Sequence, residues 1–209
     1  MIQPNFEAII FDFGGVVINL DYRRTVNALS ALRQAGLPPL DYRKRTDLVF
    51  FDLHETGKIS DTEFRDQLRQ QMRLVGDDQT LDKAWNAMIL DLPDDRLDLL
   101  EQLKQAGKRI FLLSNTNAIH ERYFKTQLKA SKQYERFENA FEKIYYSHHL
   151  QLRKPHVEIF QYVIEEQQLN PDNTLFIDDT LEHVRGAKKA GLHAQHLRYG
   201  QETIHDLLR

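Results

Sequence analysis

Cysteine does not occur in this chain of 209 residues. Disulfides, thiolate nucleophiles and cysteine-ligated zinc are thereby excluded. Basic charge is not in excess either. Lys and Arg number 28 against 31 Asp and Glu, a formal net charge of -3, so the electrostatic footprint of a nucleic-acid binder is missing. No apolar run approaches the roughly 20 residues that span a bilayer, and no membrane partner is expected. The N-terminus has no cationic segment followed by an apolar one, so it does not read as a secretory leader, and the expected location is cytoplasmic. Neither an internal repeat nor a low-complexity tract is visible. What is present is ordinary for a globular protein, 41% hydrophobic and 28% charged, at a length that suits one domain with a smaller insertion.

Three short apolar runs stand out: Ala8 to Phe11, Arg109 to Leu113 and Thr174 to Ile177. None shows the polar alternation of a half-exposed strand. Each reads as a strand buried on both faces, as in a parallel sheet covered by helices. Weaker candidates are Ile144 to Tyr146 and His193 to Leu197. Between them, Leu97, Leu100 and Leu103 mark a helix that starts near Pro93 and stops at Gly107. Val157, Phe160, Val163 and Ile164 mark another, and Leu181 to Ala190 a third. The alternation argues for a Rossmann-like α/β sheet. Residues 19–92 break the rhythm with helical patterns alone, at about 22–35, 40–51, 61–72 and 81–90. Ser60 and Glu63 match a capping box. The expected layout is an α/β core at 1–17 and 93–209 with an inserted helical cap at 18–92.

In open α/β sheets, ligands bind at the carboxyl ends of strands. After the first run come Asp12-Phe13-Gly14-Gly15, and after the second Ser114-Asn115-Thr116. Arg153-Lys154-Pro155 follows the Tyr145-Tyr146 run, and Asp178-Asp179 follows Ile177. Three acids brought together would repel unless a cation sat among them, and oxygen ligands suit Mg²⁺. A hydroxyl, a lysine and glycine-loop N–H groups suit a phosphate dianion. The convergence points to phosphoryl transfer.

These four strings, in this order, resemble the four motifs of the haloacid dehalogenase superfamily, and the resemblance covers nearly the whole chain. The look is nearest to the bacterial α-D-glucose-1-phosphate phosphatase group and to the phosphatase domain of mammalian epoxide hydrolase. The resemblance implies that Asp12 attacks phosphorus and forms an aspartyl-phosphate. It implies that Asp12, the Gly14 carbonyl and Asp178 hold Mg²⁺, supported by Asp179. Ser114 and the backbone N–H groups of Phe13, Gly14 and Asn115 would hold phosphoryl oxygens, and Lys154 would neutralise Asp12 and the phosphate. The implied substrate is a small phosphorylated metabolite, a sugar phosphate such as glucose 1-phosphate.

One position departs from the pattern. Gly14 stands where most phosphatases of the superfamily carry a second Asp, a general acid–base group of the kind worth about 10²–10⁴ in rate. Three readings follow: a phosphatase for a good leaving group, a 2-haloacid dehalogenase, or a binding or regulatory protein without turnover. The paired Asp178-Asp179 argues against the dehalogenase. The intact Asp12, Ser114, Lys154 and Asp178 set argues against the third. His54 and Glu55 are candidates for chemistry supplied by the cap. Phe50, Phe51 and Trp85 read as cap core, and residues 125–143 as a solvated helical excursion. His148 and His149 are adjacent, so their side chains are expected to point apart, with no third ligand at a known spacing.

Overall fold

The computed structural model describes residues 6–40 and 48–208. Strands β1 (Ala8–Phe11), β2 (Arg109–Ser114), β3 (Lys143–Tyr146), β4 (Thr174–Asp178) and β5 (His193–His196) form one sheet in the order β3-β2-β1-β4-β5. Every neighbouring pair is parallel. Both weaker strand candidates are therefore present, as the two edges. The period-2 alternation is hidden in the sequence because both faces are apolar. Ile9, Phe11, Ile110, Leu112, Leu175 and Ile177 enter one core, and Ala8, Ile10, Phe111, Leu113 and Phe176 the other.

The stretch between β1 and β2 opens with helices only. These are α1 (Tyr22–Ala31), α2 (Phe50–Glu55), α3 (Asp61–Met72) and α4 (Asp78–Asn86). Helix α1 stops short of the expected end because Gln34 N–H donates to the Arg73 carbonyl at 3.0 Å, drawing the chain out of the helical path. Most of the expected 40–51 helix lies outside the described residues. Helix α3 starts on the expected capping box: Glu63 N–H donates to Ser60 Oγ at 3.2 Å, and Ser60 N–H to Glu63 Oε2 at 2.8 Å. Helix α4 is shifted toward the N-terminus, since Asp77 accepts from Thr80 N–H at 2.9 Å and caps it early. Its expected last residues instead join a pair of linkers. Asn19 N–H donates to the Asp91 carbonyl at 2.9 Å, and Leu90 N–H returns to the Asn19 carbonyl at 3.0 Å. Buried Arg96 donates to the Val17 carbonyl at 3.1 Å and to Asn19 Oδ1 at 2.8 Å.

The four helices have their own hydrophobic cluster, built on Leu29, Phe50, Phe51, Phe64, Leu68, Leu81 and Trp85. The sheet is covered on its first face by α5 (Asp94–Gln105), α6 (Ala118–Ala130) and α7 (Tyr134–Ala140). The single turn α8 (Ser147–Leu150) follows β3. Helices α9 (Val157–Gln167) and α10 (Leu181–Lys189) cover the second face, and α11 (Ile204–Leu207) returns to the first. Residues 125–143 are not a solvated excursion. Leu128, Phe137 and Ala140 fall on one side of α6 and α7 and are buried in the first core. Among the described residues, no helix is long and apolar enough to cross a membrane.

Phe64 is fully buried between Phe50, Phe51, His54 and Trp85. Phe64→Ala is expected to destabilise the helical block by about 3–5 kcal/mol. Trp85 is the single tryptophan, so its fluorescence in a urea titration reads this directly. An unchanged midpoint would contradict the packing.

Candidate active site

Strand β1 continues one way to β2 and has β4 on its other side, so the carboxyl ends of these three strands border one crevice. Asp12 leaves the end of β1 with its N–H still in the ladder, donating to the Ile177 carbonyl at 2.8 Å. Its side chain is largely buried. Oδ1 accepts from Lys154 Nζ at 2.6 Å. The same ammonium donates to Asp178 Oδ2 at 2.7 Å and to the Leu113 carbonyl at 2.8 Å. Lys154 is 0% exposed, so all of its reach is spent on these three oxygens at the ends of β1, β4 and β2. Asn115 holds the lysine's own peptide from both sides: Oδ1 accepts from Lys154 N–H and Nδ2 donates to the Lys154 carbonyl, each at 2.9 Å.

Asp178 is fixed as tightly. Oδ1 accepts from Thr180 N–H at 2.8 Å, and His183 Nδ1 lies 3.0 Å from both carboxylate oxygens. Asp179 accepts from Thr180 Oγ1 at 3.2 Å. Gly15 makes room for it: with φ +73° it sits where side chains are rarely tolerated, and a Cβ there would collide with Asp179 Oδ2.

Oxygen atoms of Asp12, Asp178 and Asp179 lie within 4.8 Å of one another. Burial and the neighbouring Asp178 push Asp12 up to about 6, against the pull of Lys154. Burial, Asp12 and Asp178 push Asp179 up to about 7. Burial also opposes ionisation of Asp178, but Lys154 and His183 outweigh it and hold its carboxyl below the usual range. Three carboxylates facing one fixed ammonium carry surplus negative charge that a dication would relieve. The donor set is all oxygen, as hard cations prefer.

Above the acids opens a cavity of about 210 Å³. Asp12, Phe13, Gly14, Ser114, Asn115 and Asp179 line it, while Lys154 and Asp178 lie buried against Asp12. Phe13 reaches it from a packed position, its ring tilted against Phe124 at 4.8 Å and Phe137 at 5.4 Å. The helical block supplies an apolar wall of Leu20, Trp85, Met88 and Ile89. Glu55 joins the lining as expected, bound by Arg153 at 2.8 and 3.0 Å. His54 does not. It stacks on Phe64 at 3.9 Å inside the helical core and spends Nε2 on Asp61 at 2.8 Å. Two imidazoles in the lining went unforeseen. One is His183, and the other is His120, whose Nδ1 meets Asn86 Oδ1 at 2.8 Å and whose ring stacks on Trp85. Both sit on the first turn of a helix after a strand-end string, which is the only sequence signal they carry.

Gly14 is tied to a second residue. A Cβ on it would lie 2.5 Å from Leu20 Cδ1. The space that an acidic side chain would enter is filled by a leucine from the first linker.

Comparison with known proteins agrees with this geometry. Residues 6–191 match the haloacid dehalogenase-like hydrolase family. The chain is 32% identical over 193 residues to the D-ribitol-5-phosphate phosphatase of Bacteroides thetaiotaomicron, covering 88% of this chain and 87% of that protein. It is 26% identical to a sesquiterpene phosphatase of Aspergillus oryzae over 208 residues, 97% of this chain and 95% of that one. A haloacid dehalogenase-family enzyme from B. thetaiotaomicron, crystallised with magnesium and inorganic phosphate, superposes with a TM-score of 0.84 at 30% identity, covering 98% of this chain and 100% of that chain. The chain belongs to the haloacid dehalogenase-like hydrolases.

Replacing the ammonium at the floor of the site leaves two buried carboxylates without their cation. Lys154→Met is expected to lower the unfolding free energy by about 3–5 kcal/mol in metal-free buffer. Chemical denaturation followed by circular dichroism measures it, and an unchanged stability would contradict the role given to the lysine.

Proposed function

We propose that this hydrolase cleaves phosphomonoesters with the help of Mg²⁺, through an aspartyl-phosphate on Asp12, and that its substrate is a small phosphorylated polyol or sugar. The observation that carries the reading is Asp12 itself, a carboxylate held at 2.6 Å by a buried ammonium and facing a small cavity beside Asp178 and Asp179.

In the first half-reaction an Asp12 oxygen attacks phosphorus, the ester P–O bond breaks, and the leaving oxygen takes a proton. In the second, water attacks the same phosphorus, frees inorganic phosphate and restores the carboxylate. Lys154 keeps Asp12 oriented and offsets its charge. Ser114 Oγ makes only a long contact of 3.5 Å to the Asn115 carbonyl among the described residues, which suits it to a phosphoryl oxygen, together with the N–H groups of Phe13, Gly14 and Asn115. Mg²⁺, held by Asp12, the Gly14 carbonyl, Asp178 and Asp179, supplies charge neutralisation for the phosphoryl group. The magnesium and phosphate in the B. thetaiotaomicron enzyme support this assignment. Glu55 is an acceptor paired with Arg153, whereas His120 and His183, which spend Nδ1 on Asn86 and Asp178, are the imidazoles in the lining suited to give the leaving oxygen its proton.

Substrate choice falls to the helical block, which we take as a cap over residues 18–92. A cavity of about 210 Å³ is below the ~300–1,000 Å³ that holds drug-sized ligands. That scale suits a sugar or polyol phosphate. D-Ribitol 5-phosphate, cleaved by the bacterial relative, and glucose 1-phosphate are the two compounds to compare first. A haloacid dehalogenase needs no Mg²⁺, so it would leave the crowd of three acids without purpose.

The test is phosphate release from a panel of sugar and polyol phosphates with and without Mg²⁺. Release that needs Mg²⁺ and falls at least about a thousandfold in Asp12→Asn is expected. No release from any member would overturn the reading. A second prediction concerns Gly14. In Gly14→Asp/Leu20→Ala, an acid has room to stand in the cavity, and turnover of D-ribitol 5-phosphate relative to p-nitrophenyl phosphate is expected to rise at least about tenfold. An unchanged ratio would show that Leu20 does not fill the place of a proton donor.

A further inference from the structure

Away from the acid cluster, two imidazoles meet one carboxylate. The expectation that His148 and His149 point apart fails because α8 is a single helical turn against α6, which brings both rings onto Glu121. Glu121 Oε2 lies 2.9 Å from His148 Nε2 and 3.0 Å from His149 Nε2. Ligand atoms of the three residues all fall within 4.8 Å of one another. The other carboxylate oxygen, Oε1, is engaged by Lys125 Nζ at 2.8 Å, and Lys125 itself lies 3.8 Å from Glu138. His148 and Glu121 are 7% and 14% exposed, whereas His149 is 57% exposed. The cluster is thus rigid on two sides and open to water on the third.

We propose that Glu121, His148 and His149 form a second metal site, separate from the acids at the strand ends, that takes a borderline dication such as Zn²⁺. Two imidazole nitrogens and one carboxylate oxygen are a donor set that Zn²⁺ favours and Mg²⁺ does not. Three protein ligands on an open face leave the fourth tetrahedral position to water. Lys125 fixes the carboxylate from its outer oxygen, so the metal-facing oxygen is already aimed at the imidazoles. Protonation states suit the same ion. Burial opposes ionisation of Glu121, but hydrogen bonds from His148 and Lys125 outweigh it and hold it at about 2. Burial and the neighbouring His148 lower His149, which keeps it neutral. Binding then needs each imidazole to carry its proton on Nδ1, which at His148 is buried without a hydrogen-bond partner among the described residues.

The place of the site in the fold gives the metal something to brace. Ser147, the first residue of α8, accepts from Thr116 N–H at 2.9 Å and donates to the Glu55 carbonyl at 2.6 Å. Gly57 packs so closely on the His148 carbonyl that a Cβ there would collide with it. The same turn therefore carries both the Ser114–Thr116 string and the Glu55–Gly57 corner of the helical block. Zinc bound between α6 and α8 would tie that turn to the core.

The experiment uses the full chain without an affinity tag, in millimolar Mg²⁺, with Zn²⁺ titrated against a chromophoric chelator. About one zinc per chain is expected, with affinity falling at least about tenfold in His149→Ala and in Glu121→Gln and unchanged in Asp179→Asn. His149 is exposed, so its variant should fold, and circular dichroism checks this. Zinc-edge X-ray absorption of the wild-type protein is the second measurement, and outer-shell scattering from imidazole rings is expected. No zinc binding, binding that survives both His149→Ala and Glu121→Gln, or zinc bound without imidazole scattering would overturn the proposal.

Discussion

A single ammonium fixes the centre of this molecule. Lys154 Nζ sits without solvent contact between Asp12, Asp178 and the Leu113 carbonyl, which come from the ends of three adjacent strands. An unpaired ammonium could not be buried there, because its desolvation would outweigh any packing gain. The two carboxylates could not be buried there without it. The sheet order and the charge at its edge are therefore mutually dependent: the parallel register sets the strand ends side by side, and the lysine makes that placement tolerable. Asn115 adds the remaining constraint by holding the lysine's peptide from both sides.

The ammonium does not balance the site completely. Asp179 is a third carboxylate within reach, and burial first, then repulsion among the acids, shifts Asp12 and Asp179 upward. A site that crowds three carboxylates around one ammonium is suited to a dication and, with it, to a phosphoryl dianion. The helical block bears on the chemistry by walling the cavity with Trp85, Met88 and Ile89, since an apolar wall strengthens each of these electrostatic contacts. The linkers that join block and core are pinned by Arg96, and one of them supplies Leu20, which packs where an acid on Gly14 would stand. The departure at Gly14 and the apolar linker are thus one feature seen from two sides.

Much of this was legible in the sequence. Strand ends could be read because buried parallel strands are continuous apolar runs, so the polar residue that ends each one is conspicuous. That marked Asp12, Ser114 and Asp178. Partners supplied by helices were harder to read. His183 and His120 look like ordinary helical residues until the turn before them places them over the strand ends. His54 stands beside Glu55 as a candidate for chemistry from the helical block, and nothing local in the sequence shows the Phe64 ring that buries it. Helix boundaries moved where backbone N–H groups found partners outside the helix, as at Gln34 and Leu90, or where Asp77 capped α4 early. The adjacent histidines were misread because spacing alone does not reveal a one-turn helix against α6.

The central claim is that Asp12 carries the phosphoryl group during turnover. Acid quenching of the enzyme with its substrate, reduction with borohydride and peptide mass spectrometry test it directly. A phosphoaspartate is reduced to homoserine, so homoserine is expected at position 12 and at no other aspartate. An unmodified Asp12 during demonstrable turnover, or homoserine at another position, would contradict the account.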